Sequence, residues 1–420
     1  MFSKNVVLGG SVAVALFGLA ALTLDVDVQI KDVSAASTTN ATSPVAPLSE
    51  LDVYYPGTEG LKRDEMRIVA LGTGMPSPRP KQAAACWLVE LGNGDKFFFD
   101  IGAGCHERIA AQKIPYDFID KVFISHLHVD HYGDLASFWL GGTTMNRLTP
   151  LRIWGPSGQT PEYGTAYAMK KMQEMYVWDV GTRAGFIDFR GGELEIHEFP
   201  YEADNEVIYN ENGVVIRSFP AIHALDGSVS FILEWNGLKF VYGGDTAPNK
   251  WYVEYAKGAD VAIHEAFLAP SLLVTKQGFA PLEALNVGTQ AHTSPQQFGK
   301  VMSLVKPRIA IGYHFQNDFD TEPVARQGIR QTYDGELALA QDYMVFNVTK
   351  NDIKVRMSAI DEDIFPPAPL KAKNAPDVSK MIPTSDFILS GHLAFPEVVQ
   401  PIYDDINEQY GTDHQPPFKE

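Results

Sequence analysis

The sequence predicts an α/β protein in which layered β-sheets are covered by helices. Short apolar runs of strand length recur between residues 67 and 311 and alternate with helical stretches. Some neighbouring runs are joined by hairpin signals such as Gly92-Asn93-Gly94, so the strands run in mixed directions. His and Asp residues stand at the ends of several of these runs, where loops held by a rigid sheet can aim side chains at one point.

Residues 67–71 read as a strand running into Gly72-Thr73-Gly74-Met75-Pro76. Ser77 occupies the place of the third glycine of a dinucleotide fingerprint, and prolines follow where a helix would start. The stretch is therefore a glycine-rich loop near the active site and not a nucleotide cradle. Residues 83–90 and 96–100 form a hairpin that ends in Asp100-Ile101-Gly102-Ala103-Gly104. Asp100 either orients a metal-binding histidine or caps the next helix. The strand 122–124 opens into Ser125-His126-Leu127-His128-Val129-Asp130-His131 and then a helix over 132–140. A strand at 151–155 precedes a helix over 160–178, whose Tyr163, Tyr167, Met172 and Met175 share one side and read first as core. Strands follow at 194–199, 207–219, 229–235 and 238–242; the second delivers His223 and the fourth Asp245. Beyond them come a helix at 249–256, a strand at 261–263 before His264-Glu265, a helix at 295–305, and a strand at 309–311 before His314.

Within residues 126–131 stand three imidazoles and a carboxylate. His126 and His128, two apart, project together from an extended segment, while Asp130 and His131 turn to the other side as the chain enters the helix. One short loop can thus serve two adjacent cations. Imidazole and carboxylate without thiolate suit zinc first, and manganese or iron second. His126, His128 and His223 would hold one ion and Asp130, His131 and His314 the other, with Asp245 bridging.

The chain has 420 residues, of which 45% are apolar, enough for a sizeable core. Its formal charge of −18, without a Lys/Arg run, disfavours a large nucleic acid and favours a small-molecule substrate. Residues 1–35 carry Lys4 and then the apolar stretch 6–24, which reads equally as a cleaved export signal or an uncleaved membrane anchor. Either places the protein outside the cytoplasm, in the periplasm or secreted. Residues 36–65 form a flexible linker and 66–360 the catalytic domain, followed by a proline-rich extension over 361–420 that wraps the domain or meets a partner subunit in a homodimer. Cys86 and Cys105 either pair or remain buried thiols.

His126-x-His128-x-Asp130-His131, followed by His223, Asp245 and His314, resembles the ordered motifs of the metallo-β-lactamase superfamily over roughly residues 66–359. Leu71-Gly72-Thr73-Gly74, Phe99-Asp100-Ile101-Gly102 and Ile263-His264-Glu265-Ala266 look like its ribonuclease Z and arylsulfatase branch. Residues 244–251, 291–295 and 312–320 look most like the metallo-hydrolases named after guanitoxin biosynthesis. The resemblance implies a four-layered αβ/βα sandwich with a dinuclear zinc site between the sheets. It further implies a metal-bridging hydroxide, positioned by Asp130, that attacks a small ester, foremost a phosphodiester or related phosphate or sulfate ester, with a lactone or β-lactam as the competing substrate. A metal-binding scaffold without catalysis is the alternative of another class. His292 matches the position that assists the leaving group in ribonuclease Z and is the candidate general acid, its rival role being a backbone-bonded residue at a helix N-terminus. Asp100, His264 and Glu265 are expected to support the ligands from behind. His223 and Asp245 are 22 positions apart (245 − 223), too close for the tRNA-clasping arm that ribonuclease Z carries there. Both cysteines precede the metal loop, so a Cys-ligated lactamase is excluded.

Overall fold

The computed structural model describes residues 52–417 except 366 and 370. The candidate export signal or anchor therefore lies outside the described residues. In chain order the strands begin with β1 Val53–Tyr54, β2 Met66–Gly72, β3 Cys86–Leu91, β4 Lys96–Ile101, β5 Lys121–Phe123, β6 Leu151–Pro156 and β7 Leu194–Phe199. They continue with β8 Glu206–Glu211, β9 Val214–Pro220, β10 Val229–Trp235, β11 Leu238–Tyr242, β12 Val261–Glu265 and β13 Ile309–Tyr313. The last are β14 Leu337–Leu339, β15 Met344–Val348 and β16 Ile353–Ser358. Two mixed sheets result, one in the order β1-β16-β15-β2-β3-β4-β5-β6-β7 and the other β14-β13-β12-β11-β10-β9-β8.

Alternation along the strands builds the layers. Phe97 and Phe99 of β4 face the second sheet, where they join Phe231, Phe240 and Tyr242 in the central core. Phe98, between them, points the other way and packs under Leu135, Phe138 and Trp139 of the helix Leu135–Thr144. On the far side, Ile232, Val241, Ala262 and Ala310 are covered by Tyr252, Phe298 and Met302 from helices. Helix, sheet, sheet and helix follow one another, the expected αβ/βα sandwich.

Local chemistry places the boundaries. Ser294 caps the helix Pro295–Val305 in a capping box with Gln297, and the Asn249 side chain caps Lys250–Tyr255. The expected single strand over 207–219 is instead a hairpin of β8 and β9. Asn212 and Gly213 both have positive φ, as a tight two-residue turn requires. The expected helix over 132–140 is broken at Gly133-Asp134 into Val129–Tyr132 and Leu135–Thr144. The helix over 160–178 is likewise divided into Thr165–Met175 and Val177–Arg183.

The linker expected over 36–65 ends sooner, because β1 pairs in parallel with β16 and Tyr54 is buried, its hydroxyl accepting from Arg67 Nη1 at 2.8 Å. Cys86 and Cys105 are joined as a disulfide. In the C-terminal extension, Arg190 donates to the Ala372 carbonyl and Asp188 accepts from the Asn374 amide, laying that stretch against the first sheet's helical layer. The extension also forms a helix, Pro396–Tyr410, with Pro396 in the tolerated first turn and Pro401 inside it. No described helix is long and apolar enough to cross a membrane.

Candidate metal centre

The C-terminal ends of neighbouring strands deliver the site. β4 and β5 run parallel, as do β11, β12 and β13, so Asp100 and His126 leave one sheet side by side while Asp245, Glu265 and His314 leave the other. Loops from both sheets meet closely: a Cβ on Gly244, whose φ is +62°, would lie 2.7 Å from Ser125 Cβ. A Cβ on Gly102 would lie 2.1 Å from the Asp130 carbonyl oxygen. Glycine is needed at both places, since either contact is far inside van der Waals distance. The glycine-rich loop also takes part, with Thr73 O accepting from the His314 amide at 2.9 Å. Asp342 in turn holds that loop through the Thr73 and Ala83 amides.

All seven expected ligands converge in two groups. His126, His128 and His223 form the first, with Nε2 of His126 and of His223 lying 3.0 and 3.1 Å from His128 Nδ1. Asp130, His131, Asp245 and His314 form the second. His314 Nε2 is 3.0 Å from Asp130 Oδ2 and 3.2 Å from Asp245 Oδ2, and His131 Nε2 is 3.2 Å from Asp245 Oδ1. Asp245 also reaches towards the first group, 3.8 Å from His223 Nε2. Both Asp245 oxygens, Asp130 Oδ1 and His131 Nε2 are buried without a hydrogen-bond partner. Unsatisfied buried polar atoms cost about 1–3 kcal/mol each, and their convergence on one space fits a site built for cations.

The electrostatics suit that use. Burial pushes His126 well below the usual imidazole pKa and His223 down to about 4, so both present neutral lone pairs. Burial alone would raise Asp130 and Asp245, but nearby imidazoles, His131 for the first and His314 and His131 for the second, outweigh it and keep both carboxylates ionised. Imidazole and carboxylate oxygen, with no thiol, are donors that zinc accepts readily.

Asp100 bonds to His131 and does not cap the following helix. Its carboxylate accepts from Ser125 N and Oγ, each at 2.7 Å, and from His131 Nδ1 and Tyr242 OH, each at 2.6 Å. Its φ of +61° and that of His314, +64°, are left-handed, costing roughly 1–3 kcal/mol each at non-glycine residues. His292 bonds through Nδ1 to Glu265 Oε2 at 2.8 Å and stacks on Phe267, so the backbone-bonding role for its side chain is set aside. Burial and Asp245 push Glu265 well above the usual carboxyl range, and burial lowers His292. Burial thus disfavours the charged form of both partners of this pair, which lies beside the ligands.

His264 departs from expectation. Adjacent residues on a strand face opposite ways, so while Glu265 faces the ligands, the His264 ring lies edge-on to Tyr252 in the outer core. The stripe on the helix Thr165–Met175 also departs: Tyr163, Tyr167 and Met175 are exposed and border the cleft over His128. Sequence reasoning did not link Asp100 to Ser125 and Tyr242, nor Tyr242 to Tyr313, whose hydroxyls lie 2.9 Å apart. Their local sequence gave no signal, because Ser125 meets Asp100 through the pairing of β4 with β5, and Tyr242 and Tyr313 reach it only through the packing of the second sheet on the first.

Residues 95–315 match the family model described as "Beta-lactamase superfamily domain". Ribonuclease Z of Mycobacterium marinum is 31% identical over 205 residues, spanning 47% of this chain and 70% of that protein. Ribonuclease Z of Mycolicibacterium gilvum is 30% identical, spanning 47% and 68%. Among solved structures, the metallo-beta-lactamase fold protein YhfI from Bacillus subtilis covers 68% of this chain and 100% of its own, with a TM-score of 0.51 at 14% identity, a likeness of fold. The chain belongs to the metallo-β-lactamase superfamily, in its ribonuclease Z-like branch.

Proposed function

We propose that this chain is a dinuclear zinc metallo-hydrolase of a small ester, foremost a phosphodiester or a related phosphate or sulfate ester, closest in kind to the metallo-hydrolases named after guanitoxin biosynthesis. The observation that carries this reading is Asp245: a buried carboxylate with no hydrogen-bond donor on either oxygen, lying between two groups of imidazoles. His126, His128 and His223 would hold one zinc, Asp130, His131 and His314 the other, and Asp245 both. Zinc bound here supplies a water-derived nucleophile at neutral pH and positive charge opposite the developing anion. Asp130, with one oxygen on His314, keeps a second oxygen for orienting the attacking water. Glu265 fixes His292 through Nδ1, which leaves Nε2 to give a proton to the departing oxygen. Two clefts meet at His223, one on each side of residues 224–227, which suits a substrate with two organic arms.

The disulfide and the N-terminal apolar stretch support a place outside the cytoplasm. The net charge of −18 and the short span between His223 and Asp245 argue for a small substrate over a large RNA. The test is turnover of chromogenic phosphodiester, phosphomonoester, sulfate ester, lactone and cephalosporin substrates by zinc-loaded protein, with Asp245→Ala as control. Phosphodiester turnover that vanishes in the control supports the reading. Turnover of the lactone or cephalosporin alone replaces it with acyl transfer, and no turnover despite bound zinc favours a scaffold.

A further inference from the structure

The cleft of about 650 Å³ above His126, His128 and His223 has a wall that the proposed chemistry does not need. Tyr163, Tyr167, Met172 and Met175, from the helix Thr165–Met175 and the turn before it, face Leu225 across it. Met175 is 77% exposed, Tyr163 57% and Leu225 52%, so a contiguous apolar surface stands open to water directly beside the candidate metal centre. Thioether and phenol side chains form adaptable apolar walls, and a purely structural helix of this sheet layer would turn them inwards. Among the described residues, Lys171 is the only Lys or Arg lining the cleft; it is bonded to Glu174 at 2.6 Å and lies over the Tyr167 ring, while Glu162 and Asp226 add negative charge. Nothing here would track a polyanion.

We infer that this wall is a subsite for an apolar arm, aryl or medium-chain alkyl, of the ester whose scissile group lies at the metal centre. The inference rests on the hydrolase reading for the identity of that ester, and it names the substrate class that reading leaves open. The continuity of the cleft fixes the occupant: its lining includes His126, His128 and His223, the first group of candidate ligands, so an arm bound along the wall belongs to the molecule bound at the centre. Burying one methylene against such a wall strengthens binding roughly threefold to fourfold.

The test pairs turnover with binding in the full-length zinc-loaded protein. A series of alkyl p-nitrophenyl phosphates from methyl to hexyl gives kcat/KM, and calorimetry with methylphosphonate and hexylphosphonate gives affinity without chemistry. Expected are a rise in kcat/KM along the series, carried mainly by KM, and hexylphosphonate affinity at least about 30-fold above methylphosphonate. The surface double variant Tyr167→Ser/Met175→Ser is expected to cut the hexyl-to-methyl ratio at least about tenfold in both measurements. Turnover independent of arm length, with equal phosphonate affinities, would overturn the subsite while leaving the hydrolase reading intact. Discrimination between the phosphonates without turnover of any ester supports the subsite and sinks the hydrolase reading. A ratio unchanged in the double variant also overturns the assignment.

Discussion

Asp100→Asn isolates the contribution of a residue that touches no candidate metal. In the wild type, Oδ1 accepts from the Ser125 amide, and Oδ2 accepts from Ser125 Oγ, His131 Nδ1 and Tyr242 OH, all at 2.6–2.7 Å. An asparagine that keeps the amide bond must point its NH2 at the other three. The two hydroxyls can rotate, and Tyr242 OH already has Tyr313 OH at 2.9 Å. The imidazole cannot yield: turning its Nδ1 away would take Nε2 away from Asp245. The variant therefore loses one charge-assisted hydrogen bond, worth about 1.5–3 kcal/mol, and sets two donors against each other. Zinc affinity should fall about 10- to 100-fold, the usual effect of losing a ligand's orienting partner. Competition against a chromophoric chelator reads this directly, and far-ultraviolet circular dichroism checks that the fold persists. An affinity within about twofold of wild type would refute the role of Asp100 in fixing His131.

Other expectations follow from single features of the site. His292→Ala should lower kcat by about 10²- to 10⁴-fold while zinc content stays constant, with the larger loss on esters of poor leaving groups; equal losses on all leaving groups would show that His292 is not the proton donor. Gly102→Ala puts a methyl carbon 2.1 Å from the Asp130 carbonyl, so the backbone carrying Asp130 must move. It should cost about 1–3 kcal/mol in chemical denaturation and weaken zinc binding. His264 has its pKa lowered by burial to about 4, against 6.5 when unfolded. Below pH 6.5 the unfolded chain takes up a proton that the folded chain refuses, so this contribution is complete above pH 6.5 and is lost as pH falls towards 4. The loss in the metal-free protein is about 3 kcal/mol, and His264→Phe should flatten that slope of stability against pH.

The convergence of these His and Asp residues was legible because each follows an apolar run, and the end of a buried strand is a place that sequence can mark: 126–131 after β5, His223 after β9, Asp245 after β11 and His314 after β13. The layered fold was legible for the same reason. What escaped depends on partners distant in sequence. Glu265 meets His292 only because β12 lies beside β11 and β13 and the chain returns over 27 residues. The orientation of His264 turned on the phase of alternation at the end of β12, where a one-residue difference exchanges core and site. The stripe on Thr165–Met175 had the periodicity of a core face, yet the surface it meets is a cleft and not a sheet. The Asn212-Gly213 turn, in contrast, carried a clear local signal inside a long apolar stretch that read as one strand.

The central claim is that one carboxylate, Asp245, joins two groups of imidazoles into a dinuclear centre. The most direct measurement is zinc bound per chain, by equilibrium dialysis and elemental analysis, in wild type and Asp245→Ala. The expected result is two zinc ions in wild type and at most one retained in the variant. No bound zinc in wild type, or the same stoichiometry and affinity in both proteins, would contradict it.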